Sequence, residues 1–384
     1  MTLALDERDI AFVRKPVEWA STLPREAYIS EEWYNRELDE IFGKTWFWVG
    51  TEASVRNVGD FFTAKIGNDP IVVVRANDGE LHGLINVCRH RGARVVSGEG
   101  NMKSFVCPYH NWTYGLDGGL RGTPGLDWSD MQGIEGFDSE KFGLHPLRVA
   151  SWKGLVFVNF DMDAEPLEAF LGEFGAVLRR FDLENLSLAK SQLVDLRVNW
   201  KIFGDNMCEE YHIPYLHRDT LYKGVEERVV VPHGNSVGFY DKLETPKTES
   251  AVSSSQAPLV GGMTEEDRLH LWFFYLFPGS LLFLTPYMLV VFNLVPTGLS
   301  SCSILLDYFF PDPSKVSEEF KNRNYGLVEK ILFAEDIPVQ ETVQAGMLSK
   351  RGFTLGDGRF SPRLEAGLHH FHNWILDRLE KGRK

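Results

Sequence analysis

A chain of 384 residues, 43% hydrophobic and 24% charged, has the apolar material for a sizeable core and is not a disordered polymer. A formal net charge of −14 with no clustered basic face excludes a nucleic-acid binder, which must neutralise phosphates. Four cysteines are too sparse for a disulfide framework, and the length predicts two domains.

The first residues, Met1 to Asp9, carry charges where a secretory signal would be apolar, so a cytoplasmic protein is expected. Residues 26–44 read as an amphipathic helix, with Ser30 followed by acidic residues at capping-box-like spacing. From Trp46 to Asn159 the texture is short β runs separated by Asn-Asp-Gly-type turns: Phe61–Ile66, Ile71–Arg75, Leu81–Val87, Phe105–Cys107 and Leu155–Phe160. An all-β module is predicted there.

After Asp161 the character changes. Leu167–Phe181 reads as a helix, Leu193–Val198 as a strand, and Trp200–Tyr215 as a helix up to Pro214. Thr245–Arg268 is polar and low in complexity, which predicts a loop. The stretch Leu271–Pro296 has no charged residue and is long enough to span a bilayer. Pro278-Gly279-Ser280 and Thr285-Pro286 nevertheless cut it into strand-length pieces, so a buried antiparallel sheet is predicted and no membrane span. A strand near Ser303–Phe310, a helix over Glu318–Ser349 and a closing helix over Arg363–Leu379 complete an α+β second module. No glycine fingerprint for a flavin or nicotinamide is present.

Two constellations carry chemistry. In the β module, Cys88-Arg89-His90 and Cys107-Pro108-Tyr109-His110 each supply one thiolate and one imidazole. That set suits a two-iron cluster with both sulfurs on one iron and both nitrogens on the other; a single zinc is the rival reading. Asn86-Val87-Cys88-Arg89-His90-Arg91-Gly92, with Cys107 to Tyr114 and Gly119, resembles the Rieske [2Fe–2S] motif of ring-hydroxylating oxygenase large subunits. Asn111 departs from the family's usual glycine or alanine. Asparagine tolerates left-handed torsions, so the loop is expected to close.

In the second module, Glu209 and His212 share a face of the predicted helix, and Pro214 is expected to break it so that His217 swings back towards His212. Two converging imidazoles require a carboxylate from elsewhere to complete a facial iron site. The segment Phe333-Ala334-Glu335-Asp336, with Glu341, Val343, Gln344 and Gly346, is similar to the one that carries the family's aspartate ligand. The resemblance implies Asp336, with Glu335 as the alternative. It also implies that Glu209 hydrogen-bonds both the first iron histidine and a cluster histidine of a neighbouring subunit. Asn206, within the spacing Asp205-Asn206-x-x-Glu209-x-Tyr211-His212, joins Glu209 as a catalytic candidate.

The resemblance implies three parts: an N-terminal helical segment (1–44) packing on the catalytic domain, an all-β Rieske domain (45–160) and a helix-grip catalytic domain (161–384). It further implies a head-to-tail homotrimer, with or without a beta subunit. A separate reductase, with or without a ferredoxin, would feed electrons to the [2Fe–2S] cluster. Mononuclear Fe(II) would then use O2 to hydroxylate a small organic substrate. Phe283, Tyr287 and Phe292 would line an apolar pocket, which favours an aromatic substrate. The alternative is a monooxygenase or N-demethylase of quaternary ammonium compounds, because Glu209 and its spacing resemble that branch and aromatic rings also hold cations. A zinc-containing or iron–sulfur electron-transfer or binding protein is the non-enzymatic alternative, and it would have no use for the second constellation.

Overall fold

A computed structural model describes residues 7–125, 134–243, 257–354 and 356–381. Residues 245–256 of the predicted loop lie outside the described residues. The chain divides into two compact units, Phe42–Leu167 on the one hand and Met1–Ile41 with Glu168–Lys384 on the other.

The Phe42–Leu167 unit is all β. Among the described residues one antiparallel sheet runs in the order Phe47–Thr51, Leu155–Asn159, Pro146–Trp152, Leu81–Ile85, Asp69–Arg75, Asp60–Ile66 and Glu99–Asn101. Its Asp69–Arg75 strand buries Ile71, Val72, Val73 and Val74 in succession, as a run covered on both faces must. A second small sheet joins Phe105–Val106, Thr113–Tyr114 and Leu120–Gly122. Phe61, Val72, Leu84, Phe105, Trp112 and Tyr114 form the core, which also contains Cys88 and Cys107.

The other unit is α+β. Its antiparallel sheet runs Ser187–Leu196, Ser301–Phe310, Leu289–Gly298, Ser280–Leu284, His270–Leu276, Ser236–Leu243 and Val225–His233. The uncharged stretch is thus three paired strands turned by the predicted Pro and Gly punctuation. Among the described residues no helix is long and apolar enough to cross a membrane.

Three helix expectations need correction. Ser30 is extended and its side chain accepts from Trp33 N, so it splits the 26–44 segment into Glu26–Ile29 and Glu31–Glu37. The Trp200 helix ends at Met207, well before Pro214. Pro214 instead opens the short Ile213–Leu216 helix, where its missing N–H removes no intrahelical bond. Finally, the Glu318 helix is α-helical over Glu318–Glu329, widens into a π-helix over Lys330–Asp336 and resumes over Ile337–Met347. Such widenings recur at functional sites because they re-aim side chains without ending the helix.

The Trp200–Met207 helix is anchored on several sides. Asp205 accepts from Tyr28 Oη at 2.6 Å and from His372 Nε2 at 2.9 Å, and Lys201 pairs with Glu37 at 2.7 Å in full burial. Against its end lies the Ala366–Lys381 helix, so close that a methyl group at Gly367 would stand 2.4 Å from the Cys208 carbonyl oxygen.

Candidate metal centres

Two loops of the β unit bring the first four residues forward. The turn after Leu81–Ile85 is closed by Cys88 N on Ala93 O at 2.8 Å and by Gly92 N on Cys88 O at 3.0 Å. Its base is Asn86, fully buried, whose side chain accepts from Val95 N and Val96 N and donates to Val96 O. The second turn is closed by Cys107 N on Trp112 O at 2.8 Å and by Asn111 N on Cys107 O at 2.9 Å. Asn111 there has φ of 56°, the left-handed conformation expected of it.

Cys88 and Cys107 are buried and unbridged, while His110 is exposed. The His90 and His110 rings meet edge to face with centroids 4.7 Å apart, and Trp112 stacks on His90 at 4.8 Å and 7°. His90 Nδ1 is buried without a hydrogen-bond partner. Burial and the charges of His110 and Arg91 push the His90 pKa down, keeping a lone pair available. Burial pushes the Cys107 thiol up, against backbone hydrogen bonds from Tyr109 and His110, so a metal must supply the charge that holds a thiolate there. Two thiols and two imidazoles, one of each on either turn, suit a two-iron cluster.

The second centre is built from three segments. Past Met207 the chain leaves the helix, and the Glu209 carboxylate accepts from Tyr211 N and from His212 N, folding the turn back on itself. Glu209 and His212 therefore meet across a capped turn and not along a helix face. His217 is the C-terminal cap of Ile213–Leu216. Asp336 closes the π-helical segment. The ligand atoms of His212, His217 and Asp336 all lie within 4.8 Å of one another.

The hydrogen bonds fix which nitrogens face inwards. A carboxylate can only accept, so Nδ1 of His212 donates to Glu209, and Nδ1 of His217 donates to Glu335 at 2.7 Å. Both Nε2 atoms then carry lone pairs. Asn206 Nδ2 lies 3.0 Å from His212 Nε2, and Gln340 holds the Asn206 carbonyl oxygen. His217 Nε2 stands 3.0 Å from Asp336 Oδ1, itself buried and without an aligned hydrogen bond. A lone pair facing a carboxylate oxygen at that distance is repulsive unless a cation lies between them. Burial works against protonating His217, yet Asp336 and Glu335 outweigh it and raise its pKa. The site is short of positive charge, and two neutral imidazoles with one carboxylate suit a ferrous ion with open positions.

Glu335 was the weaker ligand candidate in the sequence. The structure makes it a partner of His217 and of Thr220 Oγ1, the latter at 2.8 Å. The orienting pairs Glu209–His212 and Glu335–His217 mirror one another.

A cavity of about 730 Å³, including its open mouth, adjoins the triad. Phe239, Phe273, Phe283 and Phe292 line it together with Leu281 and Ile331. Tyr287, expected in this lining, instead packs edge-on against Phe320 with ring centroids 5.6 Å apart. One wall is charged, and no local motif announces it. Arg228 and Asp241, directly paired across neighbouring strands, meet at 2.7 Å, and Glu210 joins Arg228 at 3.2 Å. Burial pushes the Glu210 carboxyl up while the Arg228 charge opposes it.

Comparison with known proteins sets this geometry in context. Residues 183–381 match the family model for the ring hydroxylating alpha subunit (catalytic domain), and residues 45–133 match that for the Rieske [2Fe–2S] domain. The chloroplastic choline monooxygenase of Arabidopsis thaliana is 31% identical over 377 residues, covering 93% of this chain and 82% of that protein. The carnitine monooxygenase oxygenase subunit of Escherichia coli (strain K12) is 29% identical over 382 residues, covering 95% of each. A crystal structure of a quaternary ammonium Rieske monooxygenase with the substrate gamma-butyrobetaine superposes with a TM-score of 0.79 at 25% identity, covering 96% of this chain and 97% of that one.

Proposed function

The chain belongs to the ring-hydroxylating oxygenase alpha-subunit family, Rieske non-heme iron oxygenases with a [2Fe–2S] cluster and a mononuclear iron, and from that premise we propose that it is a monooxygenase of quaternary ammonium compounds. When bound, the cluster supplies electrons received from a reductase, and the ferrous ion supplies O2 activation.

The observation that carries the substrate class is the charge of the cavity. Besides Glu209 and Asp336, which serve the iron, Glu210 and Asp241 line it against one guanidinium, that of Arg228. An aromatic hydrocarbon would leave that acid surplus uncompensated in an apolar enclosure, whereas a permanent cation offsets it. Four phenylalanines add cation–π attraction, reaching about 2 kcal/mol per contact where water is excluded. The preference for an aromatic substrate is therefore set aside. It rested on the aromatic lining and on the family resemblance, and the relatives that match include choline and carnitine monooxygenases.

On this reading His212, His217 and Asp336 hold the iron, and Cys88, His90, Cys107 and His110 hold the cluster. Glu209 and Glu335 keep both iron-facing lone pairs aimed by anchoring Nδ1. Asn206, fixed by Gln340, places an amide beside the same face of His212. We also propose a head-to-tail homotrimer, with or without a beta subunit and an intervening ferredoxin, in a cytoplasmic setting, in which Glu209 faces the neighbouring subunit's cluster.

A panel of choline, carnitine, glycine betaine and small arenes, with a surrogate reductase and product formation as the readout, tests the substrate class. Methylammonium compounds are expected to be oxidised and arenes spared; the reverse order would refute it. His212→Ala should leave the cluster's visible spectrum intact and abolish product formation.

A further inference from the structure

We propose that Arg228, held by Glu210 and Asp241, is a specificity-determining residue that selects quaternary ammonium substrates bearing a neutral oxygen, such as a hydroxyl, ether or carbonyl, over those bearing a carboxylate. This rests on the substrate class proposed above and refines it.

Arg228 lines the cavity with its side chain only 9% exposed, and its partners Glu210 and Asp241 are 5% and 2% exposed. Three of its donor contacts are made: Nη1 to Asp241 at 2.7 Å and to Glu210 at 3.2 Å, and Nη2 to Leu221 O at 3.0 Å. Nε is buried and has no hydrogen-bond partner. An unspent N–H buried in the cavity wall is costly unless a ligand oxygen meets it.

The charge balance decides which oxygen. Two carboxylates already oppose one guanidinium. A third carboxylate would therefore find no net positive charge and two close like charges, a juxtaposition that opposes binding strongly in a desolvated site. A neutral oxygen accepts from Nε–H without that repulsion. Buried ion triads are often no more stabilising than well-packed apolar residues, so this one is better accounted for by recognition than by fold stability. The ammonium itself offers no N–H, so it is left to the phenylalanine walls.

The test uses the holoenzyme with its reductase and compares kcat/KM for choline, for glycine betaine, and for the carbon isostere of choline in which a tert-butyl group replaces the trimethylammonium. Choline is expected to exceed glycine betaine by about tenfold or more. Asp241→Asn and the Glu210→Gln/Asp241→Asn double variant should narrow or invert that ratio by about tenfold. The cluster spectrum and iron content serve as folding controls; should the double variant not fold, the single variant decides. Glycine betaine preferred by the wild type, or a ratio unmoved in a folded variant, overturns the assignment. If the tert-butyl isostere is oxidised as well as choline, the quaternary ammonium reading itself fails, an outcome distinct from a wrong role for Arg228.

Discussion

Each unit presents a pair of histidines in nearly the same relation, yet the two pairs are held by opposite means. His90 and His110 meet at 4.7 Å and 69°, and His212 and His217 at 5.0 Å and 75°. The first pair stands on two short turns whose own backbone bonds, with Asn86 beneath, fix the geometry. The second pair is oriented by side chains, because Glu209 and Glu335 each grip one Nδ1 and Asp336 arrives from a distant helix. Where a site is made by turns, its residues are close in sequence and their spacing is a fingerprint. Where it is made by packing, local spacing says less, and supports such as Gln340 on Asn206 and Glu335 on His217 come into view only in the folded chain.

The sharpest way to break this contrast is to remove one donor from each centre. Complete protein should hold about three irons per chain, two in the cluster and one in the triad. Asp336→Ala should retain about two irons and the full cluster spectrum while losing all substrate oxidation. Cys107→Ser should lose the cluster and keep about one iron. Loss of all iron from either variant would mean that the two centres are not independently built. The measurement is metal analysis beside visible absorption and EPR.

A smaller effect is expected from Glu335→Gln. The carboxamide keeps the shape but weakens the anchor on His217 Nδ1, and removal of such outer partners typically weakens metal affinity about 10–100-fold. Competition with a chelator should register that loss while the cluster spectrum stays unchanged. An unaltered affinity would mean that burial alone orients His217, and the contrast between turns and side chains would lose half its basis.

The same contrast explains what was legible in the sequence. The cluster residues could be read off because binding and turn chemistry fall on the same short segments, Cys88 to Gly92 and Cys107 to Trp112. The uncharged stretch could be read as strands because Pro278, Gly279 and Pro286 sit at its turns. The place of Glu335 beside His217 is not legible because regular α-helical spacing gives no sign of the π-helical widening over Lys330–Asp336, where two adjacent carboxylates serve one site. Local composition makes Pro214 a helix breaker, yet it starts a helix; the preceding helix stops after Met207, and Glu209 accepts from the backbone of the turn that follows. The Arg228–Asp241 wall depends on strand register, which no local motif encodes.

The mildest test concerns Asn111, where the reading from sequence was physical and specific. At φ of 56° a residue with a Cβ is strained by about 1–2 kcal/mol, and asparagine is among the few that accept this conformation readily. Asn111→Ala should therefore destabilise the cluster-bearing unit by about 1 kcal/mol, lowering the temperature at which cluster absorption is lost by roughly 3–6 °C. Asn111→Gly removes the Cβ conflict and also frees the unfolded chain, so the two effects oppose one another and the shift should stay within about 2 °C. Alanine and glycine behaving alike would show that the turn is dictated by the cluster bonds of Cys107 and His110. A gap between them would show that the protein alone sets the turn before metal arrives, as the hydrogen bond from Asn111 N to Cys107 O at 2.9 Å implies.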